Sequence, residues 1–413
     1  MRWIQRAISF LAAGTLLAQS PDIAKLLQRV DQLEQDNRRL KQDLDAVRKE
    51  LVTLQQAADK VDVQAARIEE LQQTKVEAAQ KFPVKLSGLV LMNTFLYAGR
   101  TGGEDLPMVA RLTPAVTNAG GTFRNTQIAI EYSGPHSILG GEFSGRLQMD
   151  FFGGTLNTQN QLVRLRTSNV SLNWANRSLT FAIDKPIFNP REPDSLAQLG
   201  VSPLANAGNL WLWQPQVRYE ERVHLTTSTE LRMRVGVYQT NETLAVPPAS
   251  TSVSRSRPAA QGRVELSHER FAIATGFHRS ESLVGGRSLD SWAWSADWLV
   301  PLGSRVDWTG FAFTGENLAV LGIAGLRQPF GLHTRGGWTQ GTVRFSDRVK
   351  LHLLAGLDND RHSTRNLAYG ANLHIRLAPN VVFGPEIMQI RTTYPLFGVR
   401  LINRYDLALG YLF

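Results

Sequence analysis

Past residue 83 the chain holds 29 arginines and only three lysines, Lys85, Lys185 and Lys350, against 24 acids, a net charge of +8. Residues 21–82 hold 5 Arg, 6 Lys and 12 acids, a net of −1. A codon preference for Arg would act on both stretches, so the contrast is chemical. A guanidinium is a rigid fork of donors that grips a carboxylate or phosphate at two points. Ten arginines stand on the polar sides of alternating runs: Arg146, Arg164, Arg166, Arg218, Arg222, Arg232, Arg234, Arg263, Arg376 and Arg404. Together they could hold an anion and pass it on, with no covalent step. Glu142, Asp150, Glu220 and Glu265 stand near enough in sequence to pair with some of them, yet the positive excess survives that pairing. The chain has no G-x-S-x-G, no H-E-x-x-H and no P-loop motif, so no catalytic set, metal or cofactor is expected. With no cysteine, thiol chemistry, disulfides and Cys-ligated zinc are excluded.

The elements that carry these arginines alternate with period two. In 141–151, Phe143, Leu147, Met149 and Phe151 oppose Glu142, Ser144, Arg146, Gln148 and Asp150. In 231–238, Leu231, Met233, Val235 and Val237 oppose Arg232, Arg234 and Tyr238. A strand with two faces so unlike lies between lipid and water. Sixteen such runs are legible: 84–97, 122–133, 141–152, 162–174, 178–185, 216–227, 230–240, 259–268, 270–279, 289–300, 304–314, 336–346, 348–358, 366–378, 380–392 and 399–413. Long and short connections alternate between them, as in transmembrane barrels with external loops and periplasmic turns. The fold class expected over 83–413 is therefore an all-β transmembrane barrel of about sixteen antiparallel strands. Within 162–174 the parity slips between Leu165 and Val170, which reads as a bulge or a misplaced strand boundary. Trp292, Trp294 and Trp298 share a face, which an interfacial aromatic belt explains and ordinary strand packing explains equally well.

Two segments precede the barrel. Residues 1–18 read as a secretory signal: Arg2 and Arg6, then an apolar stretch from Ile8 to Ala18 too short to span a bilayer. Residues 21–81 read as a coiled coil. Ile23, Val30, Asn37, Leu44, Leu51, Ala58 and Ala65 occupy the a positions. Leu26, Leu33, Leu40, Val47, Leu54, Val61 and Ile68 occupy d. Roughly 55 helical residues make a rod on the order of 80 Å. A lone helix would leave this stripe wet, so an oligomer is expected. Asn37 at an a position sets register, and in parallel coils it favours two strands.

Signal, rod and barrel together resemble the DcaP-like family of trimeric outer-membrane porins, with Gln214-Pro-Gln-Val-Arg-Tyr-Glu220 similar to the segment where the long third loop re-enters the barrel. The phosphate-selective porins are similar in layout. The resemblance implies a homotrimer, joined through the coiled coil and the barrel wall, with the rod in the periplasm and Arg-lined lumens. It also implies uptake of small anionic solutes such as dicarboxylates. In such barrels the third loop, here 186–215, folds inward, which would put Arg191, Glu192 and Asp194 at a constriction. The terminal strand, with Tyr405, Leu407, Leu409, Tyr411 and Phe413 on one face, looks like the signal read by the barrel-assembly machinery. Other expected partners are outer-membrane lipids; nucleic acid is not one. The alternative reading is structural, a barrel tethering the outer membrane to the cell wall through its rod.

Overall fold

A computed structural model describes residues 84–153, 161–239, 253–255, 258–284, 287–321, 333–360 and 364–413, with Arg29, Arg39, Lys41, Asp43, Val47 and Lys49. The chain divides into two compact units, Met1–Lys81 and Phe82–Phe413. In the first, the six named residues are helical. The signal segment over 1–18 and the pairing of the coiled coil lie outside the described residues.

The second unit is a closed antiparallel barrel. Its strands are β1 (Val84–Gly99), β2 (Asn118–Thr122), β3 (Gln127–Ile138), β4 (Gly141–Gly153), β5 (Leu162–Asn173), β6 (Arg177–Asp184), β7 (Gln214–His224), β8 (Thr229–Tyr238), β9 (Val253–Arg255), β10 (Ala259–His268), β11 (Phe271–Val284), β12 (Arg287–Leu302), β13 (Val306–Glu316), β14 (His333–Arg344), β15 (Val349–Asp360), β16 (Arg365–Ala378), β17 (Val381–Tyr394) and β18 (Gly398–Leu412). β1 pairs with β18, so the sheet has no free edge. β2 and β3 both lie against β1, and β9 and β10 both lie against β11, so these pieces fill sixteen strand positions. Closure satisfies every ladder without water, the condition for sheet structure in lipid.

The period-two reading holds around the wall. Val90, Leu96, Val235, Val264, Ile273, Trp294, Leu353 and Ile387 are exposed on the outside, while Asn93, Gln216, Glu220, Asp297, Gln340 and Asn372 are buried within. On β18 the face with Tyr405, Leu407, Leu409 and Tyr411 is outward and exposed. Trp298 and Trp308 pack outside with ring centroids 5.2 Å apart. An apolar outer band with a polar interior is that of a transmembrane barrel. The connections 100–117 and 185–213 and the stretch 317–321 leave the strands at one end. The opposite end has tight turns, and there Phe413 exchanges two backbone hydrogen bonds with Gly88, of 3.0 and 3.1 Å.

Three details depart from or refine the sequence reading. The second run does not begin at 122 as one strand: the chain turns at 123–126, where Thr126 N donates to Phe123 O and Thr126 Oγ1 accepts from Leu91 N at 3.0 Å. β11 and β12 run on to Val284 and Arg287, so the connection between them is short. The bulge is present: Gln148 pairs with Thr167 but Met149 pairs with Leu165. The skipped residue is Arg166, and the slip lets Arg164, Arg166 and Thr167 all serve the interior.

The lumen is not polar all round. Phe311, Trp338, Leu354, Met388, Ile390 and Ile402 point inward and form the core with Phe188, Leu204 and Leu210 of the connection 185–213. On this arc a loop inside the barrel supplies the apolar partner that lipid supplies outside.

Candidate functional site

The connection 185–213 folds into the lumen. Pro186, Pro190, Pro193 and Pro203 deny it a helix, and its buried backbone groups must find partners elsewhere. They find inward side chains of the wall. Ile187 N donates to Gln261 Oε1 (2.7 Å), and Ser295 Oγ donates to Phe188 O (3.2 Å). Asp194 N donates to Gln340 Oε1 (2.7 Å), and Asn93 Nδ2 donates to Leu196 O (3.0 Å). Gly200 N donates to Asn125 Oδ1 (2.7 Å), and Asn366 Nδ2 donates to Asn206 O (2.8 Å). Glu386 of β17 takes two donors from the loop, Ser195 Oγ at 2.5 Å and Gln198 Nε2 at 3.0 Å. Strands β1, β10, β12, β14, β16 and β17 all hold it.

Glycine makes the closest approach possible. At Gly208, with φ +94°, a Cβ would lie 2.0 Å from Gly337 O, and at Gly356 it would lie 2.0 Å from Ala207 O. Loop backbone thus rests directly on strand backbone at β14 and β15.

The remaining arc carries the arginines. On β4 and β5, Arg146 faces Glu131 at 3.4 Å, and Arg164 holds Asp150 at 2.6 Å and Gly200 O at 2.5 Å. Arg166 donates to Leu199 O and lies 4.4 Å over the Trp213 ring. On β7 and β8, Arg218 bonds Asp184 at 2.8 Å, Arg222 bonds Glu220 at 2.6 Å, and Arg234 bonds the other oxygen of Glu220. Arg232 bonds Glu230 at 2.8 Å and reaches Glu265 at 3.4 Å. Asp150, Glu220 and Glu265 are therefore partners as their positions suggested. The terminal nitrogens of Arg222 and Arg234 have no acceptor among the described residues.

Not all ten candidates are placed to meet a solute. Arg263 is 3% exposed, locked between Asp297 (2.7 Å) and Glu265 (2.6 Å). Arg404 is 0% exposed, beside Asp406 and over the Tyr97 ring. Both sit behind the loop, so an anion-contact role for these two gives way to a structural one: they neutralise buried carboxylates. Arg376 is exposed near the tight-turn end of β16.

The three loop residues separate in role. Arg191 is an anchor, with Nε 2.6 Å from Asp297 and Nη2 2.8 Å from Glu265. Glu192 pairs with Lys185 at 2.7 Å. The Asp194 side chain is 57% exposed, 3.6 Å from His352 Nδ1. Sequence reasoning missed the clamps Asn93, Asn125, Gln261, Gln340 and Glu386. Their only signal was an inward polar position, which a plain wall residue shares. Arg191→Ala is expected to cost about 2–3 kcal/mol, below the ~3–5 of an orphaned buried pair because Arg263 still serves both acids. Urea unfolding of the refolded barrel checks this.

No protein-family model and no curated sequence matches the chain. Among solved structures it is similar to the outer membrane channel DcaP of Acinetobacter baumannii, with a TM-score of 0.64 and 13% identity over 80% of this chain and 97% of that one. It is also similar to an anion-selective porin from Comamonas acidovorans, with a TM-score of 0.51 and 10% identity over 80% of this chain and 99% of that one. At such identities the likeness is one of fold, and the resemblance read from the sequence is met at that level: the chain has the porin fold.

Proposed function

We propose that this chain is a passive outer-membrane diffusion channel that prefers small anionic solutes, dicarboxylates among them. The sharing of carboxylates along the arginine arc carries the reading. Glu220 serves Arg222 and Arg234, and Glu265 serves Arg191, Arg232 and Arg263. Five guanidiniums on two glutamates, with only Asp297 and Glu230 beside them, leave positive charge over and N–H donors unspent. Each guanidinium has five donors, and a carboxylate uses at most two of them.

A solute carboxylate entering the bore meets Arg222, Arg232 and Arg234 on neighbouring strands. It exchanges water for bidentate contacts and steps from one arginine to the next. Wall acids keep each contact weak, so that the solute leaves again; conduction needs binding that is favourable but short-lived. Arg164, Arg218 and Arg146 extend the row, with Arg166 buried behind it against the loop, and the loop carrying Arg191, Glu192 and Asp194 narrows the passage beside them.

The assembly that fits this role is a homotrimer joined by barrel wall and coiled coil. The rod over 21–81 stands in the periplasm after removal of 1–18, and the barrel-assembly machinery reads the Tyr405–Phe413 face during insertion. Planar bilayers under a KCl gradient test the selectivity. The expected reversal potential favours chloride, and millimolar succinate is expected to reduce the chloride current by competition. A potential favouring potassium, with no effect of succinate, overturns the anion preference.

A further inference from the structure

Three arginines of the barrel point away from any solute path. Arg335 on β14, Arg365 on β16 and Arg391 on β17 lie on the outer face, and all three are exposed. Register gathers them. Asn359 of β15 is the partner of both Arg335 and Arg365. Arg365 pairs with Thr393 and Arg391 with Leu367, one outward position deeper. With strands about 4.8 Å apart, Arg335 and Arg365 stand roughly 10 Å from each other at the backbone. The diagonal to Arg391 is about 7–8 Å. Side chains as long as these can meet on one phosphoryl or diphosphoryl group.

These arginines also lack what their neighbours have. Arg279, outward on β11, pairs with Asp290 at 2.8 Å. The other outward acids of that rim are engaged too: Glu316 accepts from Trp292 Nε1 at 3.2 Å, and Glu281 accepts from Ser288 Oγ at 2.7 Å. Among the described residues no carboxylate partners Arg335, Arg365 or Arg391, and they sit near the end of the barrel that carries the long loops. An outward arginine is costly at the bilayer midplane and cheap at its interface, so three of them unpaired within one outward position of each other mark the headgroup zone of the external leaflet.

A second observation lies just below. Across β14–β18 the outer wall is hollowed into a groove of about 430 Å³, lined by Leu353, Ala355, Tyr369, Ala371, Ile387 and Tyr405. Ala355 and Ala371 leave the hollow. Tyr369 is two residues on from Leu367, the partner of Arg391, so the groove opens directly beneath the arginines. Part of its polar lining is paired: Tyr369 Oη donates to Gln389, and Gln389 Nε2 donates to Asn403 Oδ1 at 2.8 Å. Hydrocarbon lying there leaves those bonds intact.

Cationic forks above an apolar slot fit one class of ligand. We infer that the outer face of β14–β18 binds a phosphorylated lipid of the external leaflet, its phosphates on Arg335, Arg365 and Arg391 and an acyl chain in the groove beneath. A second copy of the chain is a poorer occupant. It would have to bring free carboxylates, and the outward acids Asp290, Glu281 and Glu316 at this rim are already engaged.

The test uses the full chain, folded in detergent, with purified lipopolysaccharide as the probe and native mass spectrometry as the readout. Arg335→Gln/Arg365→Gln/Arg391→Gln together, and Ala371→Phe separately, are each expected to weaken lipid retention by about tenfold or more. The triple variant should also lose the preference for intact over dephosphorylated lipopolysaccharide. Heat-dependent gel migration verifies folding, and Arg391→Gln alone replaces the triple variant if that fails to fold. Wild-type retention in both variants overturns the assignment. Displacement of the lipid by equimolar inorganic phosphate overturns it in favour of a free-anion site. Loss of the oligomer in the triple variant overturns it in favour of a contact between copies.

Discussion

Gly356→Val is expected to drive the inward loop off the wall and raise single-channel conductance by about twofold or more, since a sixteen-stranded barrel without its constriction leaves a wide aqueous channel. The clash is backbone against backbone. A Cβ at 356 would lie 2.0 Å from Ala207 O and 3.1 Å from Leu204 Cδ1, and no rotamer relieves the first contact. β15 cannot retreat, because β14 and β16 hold it on both sides over most of its length. The loop must move instead, taking Leu204 and Leu210 from Phe311 and Trp338. Overpacking of this kind costs about 1–3 kcal/mol, so the barrel itself should still fold. Conductance in planar bilayers gives the answer. An unchanged value in a folded Gly356→Val channel would mean that the loop does not limit flow.

Reversing the arginine arc should have the second large effect. Arg222→Glu, Arg232→Glu and Arg234→Glu together exchange three cations for three anions on adjacent strands, where Glu220, Glu230 and Glu265 already stand. Lumen charges set selectivity, and the substituted side chains are partly solvated rather than walled in. The reversal potential under a salt gradient is expected to change sign, with the anion-to-cation permeability ratio falling by about tenfold or more. The same reversal at Arg263 or Arg404 should instead prevent folding, since each lies buried against carboxylates. If the arc variant keeps its wild-type potential, the selectivity lies elsewhere in the bore.

Most of the barrel was legible because lipid enforces a period of two on every strand. Leu231, Met233, Val235 and Val237 against Arg232 and Arg234 can be sorted without coordinates, and so can Tyr405 to Phe413. A slip between Leu165 and Val170 was visible for the same reason, as a bulge or a misplaced boundary, and the structure locates it as a bulge at Arg166. The inner arc was not legible. Phe311, Trp338 and Ile390 are apolar residues at inward positions, and nothing local shows that Phe188, Leu204 and Leu210 come to meet them from more than a hundred residues away. The arginines divided along the same line. Arg234 and Arg404 look alike in sequence, each inward on an alternating strand, yet one borders water and the other is sealed. That difference lies in the path of residues 185–213, which four prolines keep irregular and which amides on distant strands direct. Side chains such as Asn93 and Gln340 carry no mark that separates a clamp from plain wall.

The many-sided attachment of that loop has a mechanical consequence. A hollow cylinder of sheet flattens easily under sideways load, whereas one with an internal cross-member does not. Here the strut is fastened at β1, β10, β12, β14, β16 and β17, and Gly356 and Gly337 seat it without play. Changes in bilayer tension that would squeeze an unbraced tube should leave this one nearly round, so its permeability should hold steady as the surrounding membrane swells or stiffens.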